Sequence, residues 1–168
     1  YGIYASSGIL FNHESERRGE TFVTKKIVSS LVKISRGSNE ILKLGNLYAK
    51  RDWGYAKEFV EAMWMIMQKK KADDYVISTG KSYSVKDFIN MVLKELKLKV
   101  NWKGKGLNEC AFLDGKKIIL IDKRYFRPTE VHALRGNFYK AKKALNWKPK
   151  ISINKLVRIM INKEIEQL

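Results

Sequence analysis

Residues 2–36 read GIYASSGILFNHESERRGETFVTKKIVSSLVKISR, and this stretch contains the three kinds of segment from which the fold is built. Residues 2–11 are short and apolar, as in a buried strand. Residues 12–20 are polar and predict a loop. From about residue 22 to residue 36, apolar side chains recur at the spacing of an amphipathic helix, at Val23, Ile27, Leu31 and Ile34. The stretch therefore predicts a strand, a loop and a helix in succession.

The same alternation continues along the rest of the chain. Further strands are predicted at 41–44, 75–78, 100–102 and 117–122, and further helices at 55–68, 84–96, 138–145 and after Ser152. Ser84 and Asp87 have the spacing of a capping box at a helix start. This alternation is typical of the α/β class. With at most five short strands, we expect a small layer and not a full doubly wound sheet.

Two of these helices carry apolar stripes that we expect to be buried. The stripe of the 55–68 helix is Phe59, Val60, Met63, Trp64 and Met67, and that of the last helix is Leu156, Val157, Met160, Ile161 and Ile165. Between the elements we expect a polar turn at 45–52, a poorly patterned segment at 103–114, and an irregular segment at 124–137 with one helical turn after Pro128.

The composition predicts one globular domain with a real core. The chain has 168 residues, of which 45% are hydrophobic and 11% aromatic. No apolar run approaches the roughly 18 residues of a membrane span. Cys110 is the only cysteine, which excludes an internal disulfide and fits a reducing cytoplasm. The chain starts within an apolar segment and without Met, so we expect it to be a fragment.

The net charge of +17 leaves three interpretations. It could indicate nucleic-acid binding, a lysine-rich solvated surface, or a local basic pocket for a diphosphate. Only eight of the 34 basic residues are Arg, and the aromatic residues have core-like spacing instead of alternating with Arg. These features argue against nucleic acid as a partner.

No complete catalytic set can be recognised, but polar side chains follow several predicted strands. The sequence contains no glycine-rich phosphate loop, and His13 and His132 have no metal-ligand spacing, so no metal site is predicted. Ligands of open α/β sheets collect at the carboxyl ends of strands, and Arg pairs with phosphate oxygens through two parallel hydrogen bonds. An anion site could therefore form where such side chains converge; they are Asn12, His13, Arg17, Arg18, Arg51, Asp52, Arg127 and Glu130.

Five strings, spread over nearly the whole chain, resemble the GDP-mannose 4,6-dehydratase family of the extended short-chain dehydrogenases/reductases. They are GILFNHES-RRGETFVT-KI (8–27), LGN--AKRDWGYAK-FVEAMW (44–64), DDYVISTG--YSV--F (73–88), RYFRPTEV (124–131) and KAKKALNWKP (140–149). The strings NHES-RRGETFVT and KRDWGYAK are the most specific of them.

The resemblance implies the carboxy-terminal, substrate-binding part of an NAD(P)-binding Rossmann-type enzyme, with most of the Rossmann core missing. Residues 1–20 would be the last portion of the Rossmann domain and residues 21–168 the substrate-binding domain. The family converts GDP-mannose to GDP-4-keto-6-deoxymannose with NADP, on the way to GDP-fucose and related deoxysugars. Its catalytic Thr, Glu, Tyr and Lys lie upstream of the matched region, so no catalytic residue is assigned.

The resemblance also implies roles for individual residues. Asn12, Arg51 and Arg127 would contact the diphosphate of GDP-mannose, Glu130 would contact guanosine or ribose hydroxyls, and Lys26 is a weaker substrate candidate. His13 and Arg18, with Arg17 beside them, would contact NADP. Because the family's double-arginine loop reaches a neighbouring subunit's cofactor, the intact protein is expected to be a dimer or tetramer.

The sequence departs from the family pattern at a few positions. Glu16 stands where the family has Pro, and its charge could weaken cofactor binding beside the Arg pair. His132 and Asn137 stand at positions that are acidic in the family, and the segment 103–117 is short. Two interpretations of the parent protein stay open: a working dehydratase, or an inactive remnant that only binds nucleotide-sugar or oligomerises.

Overall fold

The computed structural model describes residues 1–126 and 129–167. Within these ranges the chain forms ten strands and five α-helices. In chain order they are β1 (Gly8–Leu10), β2 (Asn12–Glu14), α1 (Val23–Ser35), β3 (Leu42–Leu44), β4 (Lys50–Arg51), β5 (Trp53–Tyr55), α2 (Ala56–Met67), β6 (Tyr75–Ile77), β7 (Tyr83–Ser84), α3 (Val85–Glu95), β8 (Asn101–Lys103), β9 (Cys110–Leu113), β10 (Lys116–Ile121), α4 (Tyr139–Leu145) and α5 (Ile153–Glu166).

The strands form one four-stranded sheet and three pairs. The sheet has the order β3-β10-β9-β8, with β3 and β10 parallel and the other neighbours antiparallel. The pairs are β1 with β6 and β2 with β5, both parallel, and β4 with β7, antiparallel. The predicted α/β class is confirmed, and the strands are divided among small sheets.

Several strand boundaries differ from the prediction. The strand expected over 2–11 pairs only at Gly8–Leu10, because its partner β6 is three residues long. The segments predicted as a loop (12–20) and a turn (45–52) contain β2 and β4, whose side chains are polar but whose backbones are paired. The segment 103–114 contains β9, which forms a hairpin with β10.

The β9–β10 hairpin has a local cause that the sequence contains. Asp114 and Gly115 form its two-residue loop, and both adopt positive φ angles, of 48° and 79°. An Asp-Gly dipeptide between apolar strands is a strong signal for such a turn. The helical turn expected after Pro128 is wrong, since none of residues 129–137 is helical; a 3₁₀ turn lies earlier, at Lys123–Tyr125. Residues 130–137 form no described helix or strand, and their one described strand-type backbone bridge joins Ala133 to Lys50.

The main core lies between the four-stranded sheet and three helices, α1, α3 and α5. Its fully buried side chains include Ile27, Leu31, Phe88, Ile89, Ile119, Leu156 and Met160. The capping box of Ser84 and Asp87 at the start of α3 is confirmed, and Ser152 caps α5 through the backbone N–H of Lys155. The buried stripe of α5 is confirmed except for Ile165, which is exposed.

A second, smaller core lies where α2 and α4 pack against β6. It contains Phe59, Ala62, Ile66, Tyr75, Ile77, Ala141, Leu145 and Trp147. The predicted stripe of α2 is wrong apart from Phe59, since Val60, Met63, Trp64 and Met67 are all exposed. Both faces of α2 are apolar at helical spacing, and the face with the small Ala62 is the one that packs inward. The spacing alone could not select between them.

None of the helices in the described ranges is both long enough and apolar enough to cross a membrane.

Candidate functional site

A cavity of about 520 Å³ opens between α1, the end of β3, β4 and the segment after β10. Four of its lining side chains are basic (Lys26, Lys43, Arg51 and Arg124) and two are acidic (Glu14 and Glu130). The other lining residues are Asn12, Thr21, Phe22, Val23, Leu44, Gly45, Asn46, Ala49, Trp53, Val85 and Tyr125. The excess of cations at a cavity with apolar walls suits an anionic ligand that also has an apolar part.

Arg51 is held in one orientation at the edge of this cavity. Its Nη1 donates to the carbonyl oxygens of Lys50 (2.9 Å) and Val131 (2.7 Å), and its Nη2 contacts Oε1 of Glu130 at 3.2 Å. The backbone reinforces this arrangement, because the Lys50 N–H donates to the carbonyl oxygen of His132. The guanidinium is therefore positioned before any ligand arrives.

Asp52, the neighbour of Arg51, does not pair with it. The carboxylate is fully buried and accepts from Thr79 N (2.8 Å), Thr79 Oγ1 (2.6 Å), Gly80 N (2.9 Å) and Gly136 N (3.2 Å). It thereby joins β4 to the loops after β6 and before α4. A local ion pair between Arg51 and Asp52, which the sequence allowed, is not formed, because Asp52 satisfies backbone donors that would otherwise be buried without a partner.

Lys26 and Tyr125 meet across the cavity. The Lys26 Nζ lies 3.9 Å from the centre of the Tyr125 ring. The Tyr125 backbone also packs directly against Gly45, where a Cβ atom would collide with its carbonyl group. Position 45 therefore requires a glycine, because any side chain there would collide with the Tyr125 backbone.

Arg124, next to Tyr125, donates through Nε and Nη2 to Asp122. This hydrogen bonding lowers the pKa of Asp122 to about 2.

Glu14 is a buried carboxylate that lines the cavity. Its Oε2 accepts from Thr24 Oγ1 at 2.6 Å and contacts Arg18 Nε at 3.0 Å. Burial raises the pKa of Glu14, and the Thr24 hydrogen bond and the Arg18 charge partly oppose this rise. Arg18 also lies over the Phe22 ring, at 3.5 Å from its centre. The start of α1 is thus tied to β2.

The sequence of residues 1–160 matches the family model described as GDP-mannose 4,6 dehydratase. The chain belongs to this family. It is 48% identical over 170 residues to the GDP-mannose 4,6 dehydratase of Dictyostelium discoideum. The aligned region covers 100% of this chain and 48% of the relative. The corresponding enzyme of Homo sapiens is 46% identical over 168 residues, with 99% and 45% covered. The chain thus spans about half the length of these relatives and matches their carboxy-terminal part.

Solved structures show the same fold at low sequence identity. RMD from Pseudomonas aeruginosa complexed with NADPH has a TM-score of 0.74 at 16% identity, with 95% of this chain and 47% of that chain covered. UDP-glucose 4-epimerase from Thermotoga maritima has a TM-score of 0.76 at 18% identity, with 99% and 48% covered. The chain has the fold of the carboxy-terminal part of an extended short-chain dehydrogenase/reductase.

The structure brings together four of the residues that the family resemblance singled out for the substrate. Asn12, Lys26, Arg51 and Glu130 all line the one cavity, although they come from four separate segments. The fifth, Arg127, lies outside the described residues. The convergence depends on β2 pairing with β5 and on residues 130–134 pairing with β4.

The three residues singled out for the cofactor lie outside the lining of this cavity. His13 donates from Nδ1 to the Phe11 carbonyl oxygen (2.9 Å) and packs on the Phe59 ring. Arg18 is engaged with Glu14 and Phe22, as described above. The Arg17 side chain is exposed and makes no ion pair with any described residue.

Glu16, which replaces the family's Pro, points toward α2 and its preceding strand. Its Oε2 accepts from the Tyr55 hydroxyl at 3.4 Å, and its Oε1 lies 3.8 Å from Lys57 Nζ. Its described ion pair is therefore with Lys57, and no ion pair with Arg17 or Arg18 is described.

Sequence reasoning did not single out most of the other lining residues, among them Glu14, Lys43, Asn46, Arg124 and Tyr125. Two of them lie within the string RYFRPTEV, and Glu14 lies within NHES, so the motifs had marked their segments but not these side chains. Lys43 alternates with the buried Leu42 and Leu44, which indicates a side chain that points away from the core. Asn46 lies within the string that begins LGN at residue 44, so the family motif had marked its segment although no site role was given to its side chain.

Proposed function

We propose that the whole protein is an NADP-dependent GDP-mannose 4,6-dehydratase, which converts GDP-mannose to GDP-4-keto-6-deoxymannose, and that this chain holds the nucleotide-sugar. The observation that carries the proposal is the convergence of Asn12, Lys26, Arg51 and Glu130 on one basic cavity. The names of relatives that are 46–50% identical support the substrate.

Binding of the diphosphate would rest on cations that are already oriented. Arg51 is fixed by two carbonyl groups and by Glu130, so it loses little side-chain freedom when a phosphate binds. Lys26 lies in the same cavity and adds a second positive charge, and Arg127 remains a further candidate from the family motif. Each charged hydrogen bond contributes about 1.5–3 kcal/mol. Anchoring of the GDP group would then orient the sugar for reaction.

The nucleobase and ribose would lie against the apolar part of the same cavity. Trp53, Val85 and the Tyr125 ring offer surfaces for a flat ring, and the Glu130 carboxylate can accept from ribose hydroxyls. Glu130 also pairs with Arg51, so a ligand hydroxyl would share this carboxylate with the guanidinium.

For the cofactor we propose NADP, held by His13, Arg17 and Arg18 together with residues of the upstream half. The donor set fits a phosphorylated dinucleotide, because the Arg17 guanidinium is exposed and makes no ion pair among the described residues. When bound, NADP would accept a hydride from the sugar and return it. The chain's own part is to place charge beside the cofactor phosphates.

The division of the chain and its assembly follow from the same proposal. Residues 1–20 would complete a Rossmann domain, and residues 21–168 would form the substrate-binding domain. The exposed Arg17 in the loop after β2 could reach the cofactor of a second subunit in a homo-oligomer. We place the protein in the cytoplasm, where nucleotide-sugars are made.

A fusion experiment tests the proposal. The chain would be joined to the amino-terminal half of the Dictyostelium discoideum relative, and GDP-mannose consumption would be followed with NADP present. We expect formation of a 4-keto product, and we expect the 168-residue chain alone to bind GDP without turnover. A folded fusion that makes no product, while the intact relative does, would support the inactive-remnant interpretation instead.

A further inference from the structure

The loop of residues Gly45–Ala49, here called the 45–49 loop, forms one wall of the cavity. Gly45, Asn46 and Ala49 line the cavity, whereas Leu47 is fully buried and Tyr48 points outward and is half exposed. The wall is therefore formed by a five-residue segment that belongs to no strand or helix, and its shape depends on what holds it from behind.

Two backbone contacts from the start of α3 hold the middle and the carboxyl end of this loop. The Lys86 N–H donates to the Leu47 carbonyl oxygen at 2.8 Å, and the Val85 N–H donates to the Ala49 carbonyl oxygen at 3.2 Å. Inside the loop, the Asn46 Oδ1 accepts from the Tyr48 N–H at 2.9 Å. This last contact connects the orientation of a cavity side chain to the position of Tyr48.

Tyr48 in turn is held by a buried carboxylate from a distant part of the chain. Glu109, which precedes β9, is only 2% exposed. Its Oε2 accepts from the Tyr48 hydroxyl at 2.7 Å, and its Oε1 accepts from Lys86 Nζ at 2.6 Å. The Lys86 ammonium also lies over the Trp102 ring, at 4.6 Å from its centre.

A buried carboxylate must be compensated, and here both of its compensating groups act on the cavity wall. Burying an unpaired charge is costly, so loss of either contact of Glu109 would raise the free energy of the folded chain. The Glu109 hydrogen bond raises the pKa of both Tyr48 and Lys86, so both donors keep their protons at neutral pH. The cluster of Glu109, Tyr48 and Lys86 is thus a fixed brace between the β8–β9 hairpin and the 45–49 loop.

We infer that Glu109 is a positioning residue for the ligand: through Tyr48 and Lys86 it fixes the 45–49 loop, and with it Asn46, at the cavity. The inference rests on the proposed function, because it takes the cavity as the nucleotide site.

The test compares GDP binding by variants of the 168-residue chain in isothermal titration calorimetry. Tyr48→Phe removes one hydroxyl from a half-exposed ring, and its matched control is Tyr139→Phe on α4, whose ring is also exposed. We expect Tyr48→Phe to raise the Kd for GDP by about three- to tenfold. The substitution removes a hydrogen bond to a charged group, and only part of that loss in free energy is expected to reach the cavity through the 45–49 loop. The control variant should bind like the unmodified chain.

A conservative substitution separates positioning from general stability. Glu109→Gln can still accept from the Tyr48 hydroxyl, whereas Glu109→Ala cannot, so Gln should restore most of the affinity that Ala loses. Hydrogen exchange of the 45–49 amides should quicken in Tyr48→Phe and Glu109→Ala while the midpoint of thermal unfolding of Tyr48→Phe stays close to that of the unmodified chain.

The outcomes distinguish the inference from the proposed function. If the unmodified chain binds GDP and Tyr48→Phe binds it equally well, the positioning role of Glu109 is overturned and the proposed function stands. If the unmodified chain unfolds cooperatively but does not bind GDP, the proposed nucleotide site is wrong, and the inference is overturned with it.

Discussion

At the scale of single residues, the site is governed by how each charge at the cavity is compensated. Arg51 is paired with Glu130 and two carbonyl groups, Asp52 with four donors, and Glu14 with Thr24 and Arg18. Neighbours in sequence therefore do not predict partners in space, since Arg51 and Asp52 are adjacent and serve different segments. Burial makes each of these choices energetically important.

Arg51 allows a direct test of the geometry at the cavity. Arg51→Lys keeps the charge but loses the planar fork that reaches Glu130 and the Val131 carbonyl. We expect GDP to bind about ten- to a hundredfold more weakly, because charged hydrogen bonds are lost and the cation is no longer oriented. Titration calorimetry measures the effect. Arg158→Lys on α5, whose partner Glu95 is exposed, is the control and should change nothing.

Glu14 predicts a pH dependence of stability. Its folded-state pKa is raised above the ordinary value of 4.5, so the folded chain holds this proton more tightly than the unfolded chain. The stabilisation that Glu14 contributes is therefore largest below pH 4.5 and is lost as the pH rises through the raised pKa. Urea unfolding across this window should show the unmodified chain losing stability relative to Glu14→Gln as pH rises.

The exposed Glu61 supplies the control for that measurement. Glu61→Gln removes a carboxylate whose only described ion pair, with Lys150, is 3.9 Å long and exposed. Its stability difference from the unmodified chain should stay nearly constant across the same pH window. A constant difference for Glu14→Gln as well would show that burial of Glu14 does not raise its pKa.

At the scale of elements, helices whose one face is polar were predicted well, and the helix with two apolar faces was not. The stripe of α5 and the caps of α3 and α5 depend on local spacing and on side chains within one turn. In α2 the residues Phe59, Ala62 and Ile66 lie inside, although Val60, Trp64 and Met67 have the same period. The choice depends on the shape of β6 and α4, which no local pattern contains.

The orientation of α2 can be tested by two truncations of aromatic side chains. Phe59→Ala removes a fully buried ring and should lower the free energy of unfolding by about 3–5 kcal/mol. Trp64→Ala removes a ring that is 64% exposed and should change it by less than about 1 kcal/mol. Urea unfolding of both variants decides the matter. Equal losses would restore the stripe predicted from the sequence.

At the scale of the whole molecule, two cores support one cavity. The larger core fixes α1, the four-stranded sheet and α3, and the smaller core fixes α2 and α4. Asp52, at the end of β4, connects β4 to the loops beside the smaller core, while Glu109 ties the sheet side to the cavity wall. Four of the basic side chains, Lys26, Lys43, Arg51 and Arg124, line this cavity. Part of the net charge of +17 is therefore concentrated where an anionic ligand would bind.

The sequence by itself determined the features that depend on near neighbours and on motif identity. These are the α/β class, the helix caps, the family, and the segments that line the cavity. The tertiary structure alone decided which face of α2 is buried, how Arg51 and Asp52 choose different partners, and which carboxylate braces the cavity wall. The physical reason is the range of the contacts: Tyr48 and Glu109 are 61 positions apart, and Arg51 and Glu130 are 79 apart. Such pairs form only when the strands and helices between them have packed.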